Sequence, residues 1–392
     1  MTTTDAPVVL DTSDVDRQLG QRLGGGQLRE PVSSTDIRRW VQGMQYPNPI
    51  HFDEDAARQG PFGGIVAPQS FAVCADTGHG ATPAIVGAIP GTHMIFGGDE
   101  WWFYGPRIFP GDQLHQERWF HDYKIADTKF AGPTMFSRGD TVHRNQRGEP
   151  VAKQRSTAVR YLADEARKRG FFEQTAPIPA WTDARLDEIQ TQRLDWIRSI
   201  RDVGLRSFDS VEVGQKLPTR PIGPHTIQSF ATEWRAFIFQ AWGSTTREGH
   251  DHIPEAGWLS DMDRNVDGSE IDPGLDDGLY RGPSRGHIDL EHAKLIGMPR
   301  MYGYGAAMGA WILDYASGWA GPYGCIRHSN IQYRFPPFEG DLSILDGTVL
   351  DKREDPTFDT CLATVELVMT NQDGTVMAKG PIDIQLPPSG GD

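Results

Sequence analysis

The sequence predicts an α+β protein made of two similar units, each a group of helices followed by an antiparallel sheet. Two observations lead to this class: an internal repeat, and a change within each half from helical to strand periodicity. Three motifs recur in the same order at a nearly constant spacing of 226 to 236 residues along the 392-residue chain. They pair His51 with His287, Asp112 with Asp341, and Asn145 with Asn371. A common order at nearly one spacing indicates a duplication whose loops differ in length.

Each half presents its elements in the same order. A helix that Ser or Thr begins comes first, SSTDIRRWVQGM or HTIQSFATEWRAFIFQAWG, and a histidine-bearing loop and a short helix follow it. An apolar helix comes next, APQSFAVCADTG in the first half and YGAAMGAWILDYA in the second. Segments that alternate apolar with polar residues come last and predict strands. The stretches NQRGE and NQDGT predict hairpin turns, because glycine readily takes positive φ.

The repeat also sets the domain boundaries. We place the first unit at residues 1–165, a linker at 166–205 and the second unit at 206–392. Within the linker, the apolar residues between Leu186 and Arg201 have helical spacing, which predicts a helix that bridges the two units. An insertion rich in Asp and Gly, residues 244–280, separates the first helix of the second unit from its histidine loop. A loop of this length is usually functional or disordered, so we consider a lid or a substrate-selecting loop.

Composition excludes several classes of function. Hydrophobic residues make up 38% and charged residues 23% of the chain, as is typical of a soluble globular protein. A net charge of -15 argues against nucleic-acid binding, which depends on basic side chains that neutralise phosphates. The three cysteines have no paired spacing, the histidines have no metal-ligand spacing, and no apolar run is long enough to span a membrane. We therefore expect a cytoplasmic protein without a metal site.

The stretch YPNPIHFDEDAAR carries the strongest functional signal in the first half. His51 lies on its loop, directly before an acidic helix start. This histidine is a candidate for proton transfer, and the alternative is a ring that satisfies a buried carbonyl. Asp53, two residues on, is a candidate helix N-cap, with an acid that orients a histidine or binds substrate as the alternative.

The longer stretch NPIHFDEDAARQGPFGGIVAPQSF resembles the MaoC-like enoyl-CoA hydratase/dehydratase family, in particular its N-terminal dehydratase-domain branch. GPSRGHIDLEHAKLIGMPRMYGYG and GDLSILDGTVLDK resemble the second unit of that family. The resemblance covers about Ser33 to Leu386, apart from the linker and the insertion. It implies two tandem hotdog units, each an antiparallel sheet wrapped around a central helix, which pair side by side as a pseudo-dimer.

The resemblance also implies an activity, a hydro-lyase. Such an enzyme adds water to an enoyl-CoA or removes it from a 3-hydroxyacyl-CoA, or acts on another acyl thioester, and needs no metal or redox cofactor. In the family an aspartate and a histidine of the loop hold one water between them, and two such groups can exchange its protons. A backbone N–H at the start of the central helix binds the thioester oxygen, where the helix dipole favours the negative charge that develops.

The family pattern carries over only in part. In the first half His51 and Asn48 match the histidine and asparagine of the loop, but Tyr46 stands at the position of the aspartate. A phenol, with a reference pKa near 10, is a poor general base at neutral pH. In the second half His287 matches the histidine, and Gly282 stands where the aspartate is expected.

The helix starts differ as well. Pro68 stands where the family has a glycine N–H donor, and proline has no N–H, whereas the second half keeps Gly303 and Gly305 there. We therefore expect one composite site, with a histidine loop from the first half and an oxyanion helix from the second. Arg281 and Arg285 are candidates for binding a carboxylate or a CoA phosphate, with surface ion pairs as the alternative.

Three functions stay open at this point. The first is the hydro-lyase. The second is a hotdog enzyme with altered chemistry, such as an isomerase, a cyclase or a dehydratase of a non-CoA metabolite, because a histidine without its aspartate can still move a proton. The third is a non-catalytic acyl-binding or structural subunit, because both motifs are incomplete. A homodimer is compatible with any of the three, since paired sheets leave edges to cover.

Overall fold

The computed structural model describes residues 9–28, 30–75, 81–238, 285–355 and 360–388. The predicted insertion at 244–280, together with Arg281 and Gly282, lies outside this part of the chain. The helices are α1 Ser13–Asp16, α2 Ser34–Gly43, α3 Glu54–Gln59, α4 Ala163–Arg169, α5 Asp183–Arg201, α6 Ile227–Ile238, α7 Arg285–Ile288, α8 Leu290–Leu295 and α9 Gly305–Ala320. The strands are β1 Arg22–Gln27, β2 Thr92–Phe103, β3 His115–Thr128, β4 Gly132–Arg144, β5 Pro150–Leu162, β6 Arg220–Ile222, β7 Cys325–Tyr333, β8 Ser343–Asp355, β9 Thr360–Thr370 and β10 Val376–Leu386.

One antiparallel sheet runs through both halves of the chain. Within the described residues its ten strands follow the order β1-β3-β4-β5-β2-β7-β10-β9-β8-β6. The two halves meet where β2 pairs with β7, in a register that runs from Gly98 opposite Gln332 to Trp102 opposite His328. The α+β prediction is confirmed. The edge strands β1 and β6 were not predicted, because β1 is rich in glycine and β6 has only three residues.

The repeated sequence motifs have the same structural role in each half. Asp112 Oδ2 accepts a hydrogen bond from the N–H three residues before it at 2.8 Å, and Asp341 Oδ2 does the same at 3.1 Å. Asn145 Oδ1 accepts from the N–H groups two and four residues further on, and Asn371 repeats this arrangement. Each motif therefore closes a local turn in its own half.

The central helices differ between the two halves. In the second half α9 is apolar and almost wholly buried, and it packs against β2, β7 and β10. In the first half the predicted apolar helix is a 3₁₀ helix, at Gln69–Ala75, and not an α-helix like α9. Pro68 precedes this segment, and the segment packs against α9, which already fills the middle of the shared core.

A helix, α5, spans the residues predicted to form the linker helix and starts three residues earlier than expected. Its Trp196 ring lies 6.3 Å from the ring of Tyr46, in the first half. Its Ile200 packs against Gly318 of α9, in the second half. The helix thus contacts both halves. Among the described residues, no helix combines the length and apolar character needed to cross a membrane.

The close approach of β10 to β7 leads to a test. A Cβ at Gly380 of β10 would overlap the carbonyl oxygen of Asn330 in β7. We expect Gly380→Ala to lower the free energy of unfolding by about 2 kcal/mol or more, because a strand backbone cannot move aside as a flexible side chain does. Urea unfolding measures this. Gly64→Ala is the control, because a Cβ there meets no atom within 4 Å. Equal stability of both variants would contradict the strand packing.

Candidate active site

The histidine loop of the first half is tied together by hydrogen bonds. Asn48 caps the 3₁₀ turn Pro49–His51, where its Oδ1 accepts from Ile50 N–H at 3.4 Å. Its Nδ2 donates to the Tyr46 hydroxyl at 3.1 Å. The ring of Tyr46 lies 5.4 Å from the ring of His51. The structure therefore brings together the residues at the three motif positions, of which Asn48 and His51 match the family pattern and Tyr46 replaces its aspartate.

His51 is a buried, neutral imidazole. Its Nδ1 lies 2.6 Å from the carbonyl oxygen of Val66. Since a carbonyl only accepts, Nδ1 carries the hydrogen and Nε2 keeps the lone pair. The side chain is 2% exposed, and burial lowers the pKa of His51 to about 3. The ring thus satisfies a buried carbonyl, which was the alternative interpretation of this histidine.

Tyr46 stands beside a buried acid from the other half. Asp314 of α9 accepts a hydrogen bond at 2.5 Å from Ser70 Oγ, which itself accepts from Trp40 Nε1 at 2.9 Å. Burial raises the pKa of Asp314 to about 7. Burial, and then the negative charge of Asp314, raises the pKa of Tyr46 above its usual value. Tyr46 therefore stays a neutral phenol and cannot replace the carboxylate as a base.

The start of the 3₁₀ helix Gln69–Ala75 offers few hydrogen-bond donors to a substrate. Pro68 has no N–H, and the side chain of Gln69 is bound to the backbone of β7. Its Nε2 donates to Ile326 O at 2.9 Å, and its Oε1 accepts from Ile326 N–H at 2.8 Å. A small cleft lies beside these residues, lined by Pro68, Gln69, Phe103 and Arg107 among others.

The histidine loop of the second half repeats the hydrogen bond of the first. His287 Nδ1 donates to Tyr302 O at 2.6 Å, and the two residues are separated by fifteen positions, as are His51 and Val66. The ring of His287 lies 4.3 Å from that of Tyr302 and 3.8 Å from that of Tyr304. Tyr304 is the N-cap of α9, so this half-buried histidine lies at the start of the long central helix.

The two glycines predicted as oxyanion donors, Gly303 and Gly305, differ in what their N–H groups can do. Gly303 N–H donates to Pro337 O at 2.7 Å, so the expectation that it serves as an oxyanion donor is wrong. Gly305 is the first residue of α9, and the first N–H groups of a helix have no partner within it. The helix dipole adds to the attraction of this end for negative charge.

The expected pairing of His51 with the start of α9 does not occur. A Cβ at Gly318 would lie 3.4 Å from Tyr46, whose ring contacts His51. Gly318 is thirteen residues beyond Gly305, which corresponds to about 20 Å along a helix. His51 therefore lies near the far end of α9, and the two histidines lie at opposite ends of that helix.

The remaining predicted site residues are Asp53, Arg281 and Arg285. Asp53 is the N-cap of α3, where its Oδ1 accepts from Asp55 N–H at 3.0 Å and Ala56 N–H at 3.1 Å. The N-cap interpretation of this exposed residue is confirmed. Arg285 begins α7, but its side chain, like all of Arg281, lies outside the described part.

Three buried acids were not singled out from the sequence, namely Asp99, Glu233 and Asp314. Asp99 Oδ2 accepts from Tyr333 Oη at 2.7 Å, and burial raises the pKa of this carboxyl to about 7. Both carboxyl oxygens of Glu233 are buried without a partner among the described residues, on a helix that packs against α7. An acid on the apolar face of a helix was the available signal for Glu233 and for Asp314.

Comparison with known proteins gives a family match and a curated relative, both over part of the chain. Residues 17–154 match the FAS1-like dehydratase domain region. A curated relative, the probable enoyl-CoA hydratase alpha subunit of Thermomonospora curvata, is 29% identical over 160 residues, which cover 38% of this chain and 49% of the relative. The chain thus spans about half the length of the curated relative it matches.

Solved structures match over almost the whole chain. A MaoC-like dehydratase has a TM-score of 0.61 at 18% identity and covers 96% of this chain and 100% of its own. A putative MaoC domain protein dehydratase from Chloroflexus aurantiacus has a TM-score of 0.55 at 13% identity, with coverages of 99% and 100%. A double-hotdog protein of Mycobacterium tuberculosis has a TM-score of 0.51 at 12% identity, with coverages of 95% and 97%. These likenesses show the hotdog fold.

The buried state of His51 makes stability depend on pH. Because its pKa is lowered to about 3, the unfolded chain takes up a proton below about pH 6.5 that the folded chain does not. The stability that the buried neutral His51 contributes is therefore present above pH 6.5. As the pH falls below that value, the free energy of unfolding decreases by about 1.4 kcal/mol per pH unit. We expect the free energy of unfolding to fall between pH 6.5 and 5.0 in both proteins, and to fall about 2 kcal/mol less in His51→Gln than in wild type. Urea unfolding at the two pH values measures this. His121→Gln, at an exposed site, is the control, and its free energy of unfolding should fall as much as that of wild type. If the free energy of unfolding of His51→Gln also falls as much as that of wild type, His51 is not the group responsible.

Proposed function

We propose that this chain, which belongs to the MaoC-like hotdog family, is a hydro-lyase that hydrates an enoyl thioester or dehydrates a 3-hydroxyacyl thioester. We assign the chemistry to His287 and the adjoining start of α9. The observation that carries this assignment is the contact of His287 with Tyr304, the N-cap of α9, 3.8 Å between rings. A proton-transfer residue and an anion-stabilising helix start therefore lie side by side.

His287 has the right tautomer for a base. Its Nδ1–H is bound to Tyr302 O, so Nε2 of the neutral ring is the nitrogen that accepts a proton. In the hydration direction Nε2 takes a proton from water while the water oxygen forms its bond to C3 of the enoyl group. The imidazolium then gives that proton to C2, so that one water is added and the ring is restored.

Gly305 supplies the complementary group. As water adds to C3, electrons move to the thioester oxygen, and an enolate forms. An N–H at the first position of α9 can donate to that oxygen, and the helix dipole favours its charge. One such donor in a site that excludes water typically contributes about 3 kcal/mol of transition-state stabilisation.

The histidine loop around His51 is proposed to be structural. Its histidine is buried and neutral, Tyr46 is a phenol of raised pKa, and Gln69 is bound to β7. The hydrogen bond from His51 to Val66 would then hold the loop in place, as the equivalent bond holds the loop of His287.

Several finer points are part of this proposal. Residues 1–165 and 206–392 form two hotdog units joined by the linker 166–205 and paired as a pseudo-dimer, which the β2–β7 pairing supports. Coenzyme A is the proposed thioester carrier, supported by the name of the curated relative. Roles of Arg281 and Arg285 in binding it, a homodimer, and a cytoplasmic location stay predictions.

Exchange of each histidine tests the assignment. We expect His287→Ala to lower kcat/KM for hydration by at least about 100-fold, because general acid–base catalysis is lost. His51→Gln, the matched control, should stay within about tenfold of wild type, since glutamine can still donate to Val66 O. The measurement is the loss of enoyl absorbance with purified chain and trans-2-enoyl-CoA. Activity of the chain alone removes the partner-dependent alternative.

Labelled water separates hydration from isomerisation. The product formed in oxygen-18 water should carry the label at C3, because the hydroxyl oxygen comes from solvent. An unlabelled product would favour the altered chemistry, and a His287→Ala variant as active as wild type would contradict the assigned site.

A further inference from the structure

The start of α9 is covered by an aromatic ring from the first half of the chain. A Cβ at Gly305 would overlap Phe96 Cβ and would lie 3.0 Å from Phe96 Cγ and 3.5 Å from Cδ1. Phe96 belongs to β2, the strand that joins the two halves, and its side chain is half-buried. A thioester whose oxygen bonds to Gly305 N–H would therefore contact this ring.

A buried polar pair lies one helical turn further along. The ring of Phe96 is 6.2 Å from that of Tyr333, whose hydroxyl donates to Asp99 Oδ2 at 2.7 Å. Gln154 Nε2 donates to the other oxygen of Asp99, also at 2.7 Å. A Cβ at Gly309 would overlap the Tyr333 hydroxyl and would lie 2.9 Å from Asp99 Oδ2. The second turn of α9 thus rests directly on this pair.

These contacts leave little room for a chain between α9 and the sheet. An acyl group that extends along the helix would first displace the ring of Phe96. It would then place methylene groups against the Tyr333–Asp99 pair, whose polar atoms would lose partners that a hydrocarbon cannot replace. Both effects penalise a long apolar chain more than a short one.

We propose that Phe96 is a specificity-determining residue of the site at His287 and the start of α9, restricting it to thioesters of short acyl chains. This inference rests on the proposed function for its substrate class. It makes the site composite in a way that the sequence did not predict, because the histidine and the helix come from the second half and the limiting wall comes from the first.

A chain-length series tests the inference. Wild type, Phe96→Ala and Phe96→Leu are assayed with four-, eight- and twelve-carbon trans-2-enoyl-CoAs. We expect kcat/KM of wild type to fall at least about 100-fold from the four-carbon to the twelve-carbon substrate. In Phe96→Ala the ratio of the two kcat/KM values should be at least about tenfold smaller, because each methylene that enters an apolar space is worth roughly a factor of four. The ratio for Phe96→Leu should lie between those of wild type and Phe96→Ala. This variant provides the test if the alanine variant does not fold.

Phe130→Ala is the matched control. Phe130 is also half-buried, but it packs against Tyr161 and Phe172, so its removal should leave the chain-length ratio unchanged. A Phe96→Ala variant that changes all chain lengths equally, or a wild type that prefers twelve carbons, would overturn the inference.

Binding separates this inference from the proposed function. If wild type hydrates none of the enoyl-CoAs, the proposed function fails, and calorimetry with saturated acyl-CoAs of the same lengths then tests Phe96 alone. The twelve-carbon ligand should gain at least about tenfold in affinity, relative to the four-carbon ligand, in Phe96→Ala. An unchanged ratio, or no binding of any ligand, would refute a role for Phe96 in acyl recognition.

Discussion

The pairing of β2 with β7 is the constraint on which the rest of the structure depends. It merges the strands of both halves into one sheet and lets α9 lie across the junction. Because Gly305 and Gly309 have no side chains, α9 approaches these strands closely enough for Phe96 and Tyr333 to reach it. A wider junction would leave both the start of α9 and the buried pair beneath it uncovered.

The two histidine loops show how a duplicated site can diverge while its local geometry persists. Each histidine donates Nδ1–H to a carbonyl fifteen residues on, at the same 2.6 Å. What differs is the element that follows, a short 3₁₀ helix after Pro68 in one half and a sixteen-residue helix in the other. Because the proposed hydro-lyase chemistry needs a base and an anion site together, the longer helix favours His287 over His51 for that role.

Much of the fold could be predicted from the sequence, because its signals are local. Alternation, capping residues and the repeated Asp and Asn turns act over a few positions, and they identified most strands and the duplication. The site was less predictable, because its decisive contacts are distant in sequence. Nothing near Gly303 indicates that its N–H is taken by Pro337, and nothing near Phe96 indicates that it covers Gly305. The 3₁₀ helix depends on α9 filling the core, which no local pattern reports.

The central claim is that the thioester binds at the start of α9 and not beside His51. A crystal structure with a saturated acyl-CoA tests it most directly, because such a ligand binds without reacting. The account predicts the thioester oxygen within hydrogen-bond distance of Gly305 N–H, with C3 of the acyl group facing His287 Nε2. A thioester bound in the cleft of Pro68, Gln69 and Arg107, with the start of α9 unoccupied, would contradict it.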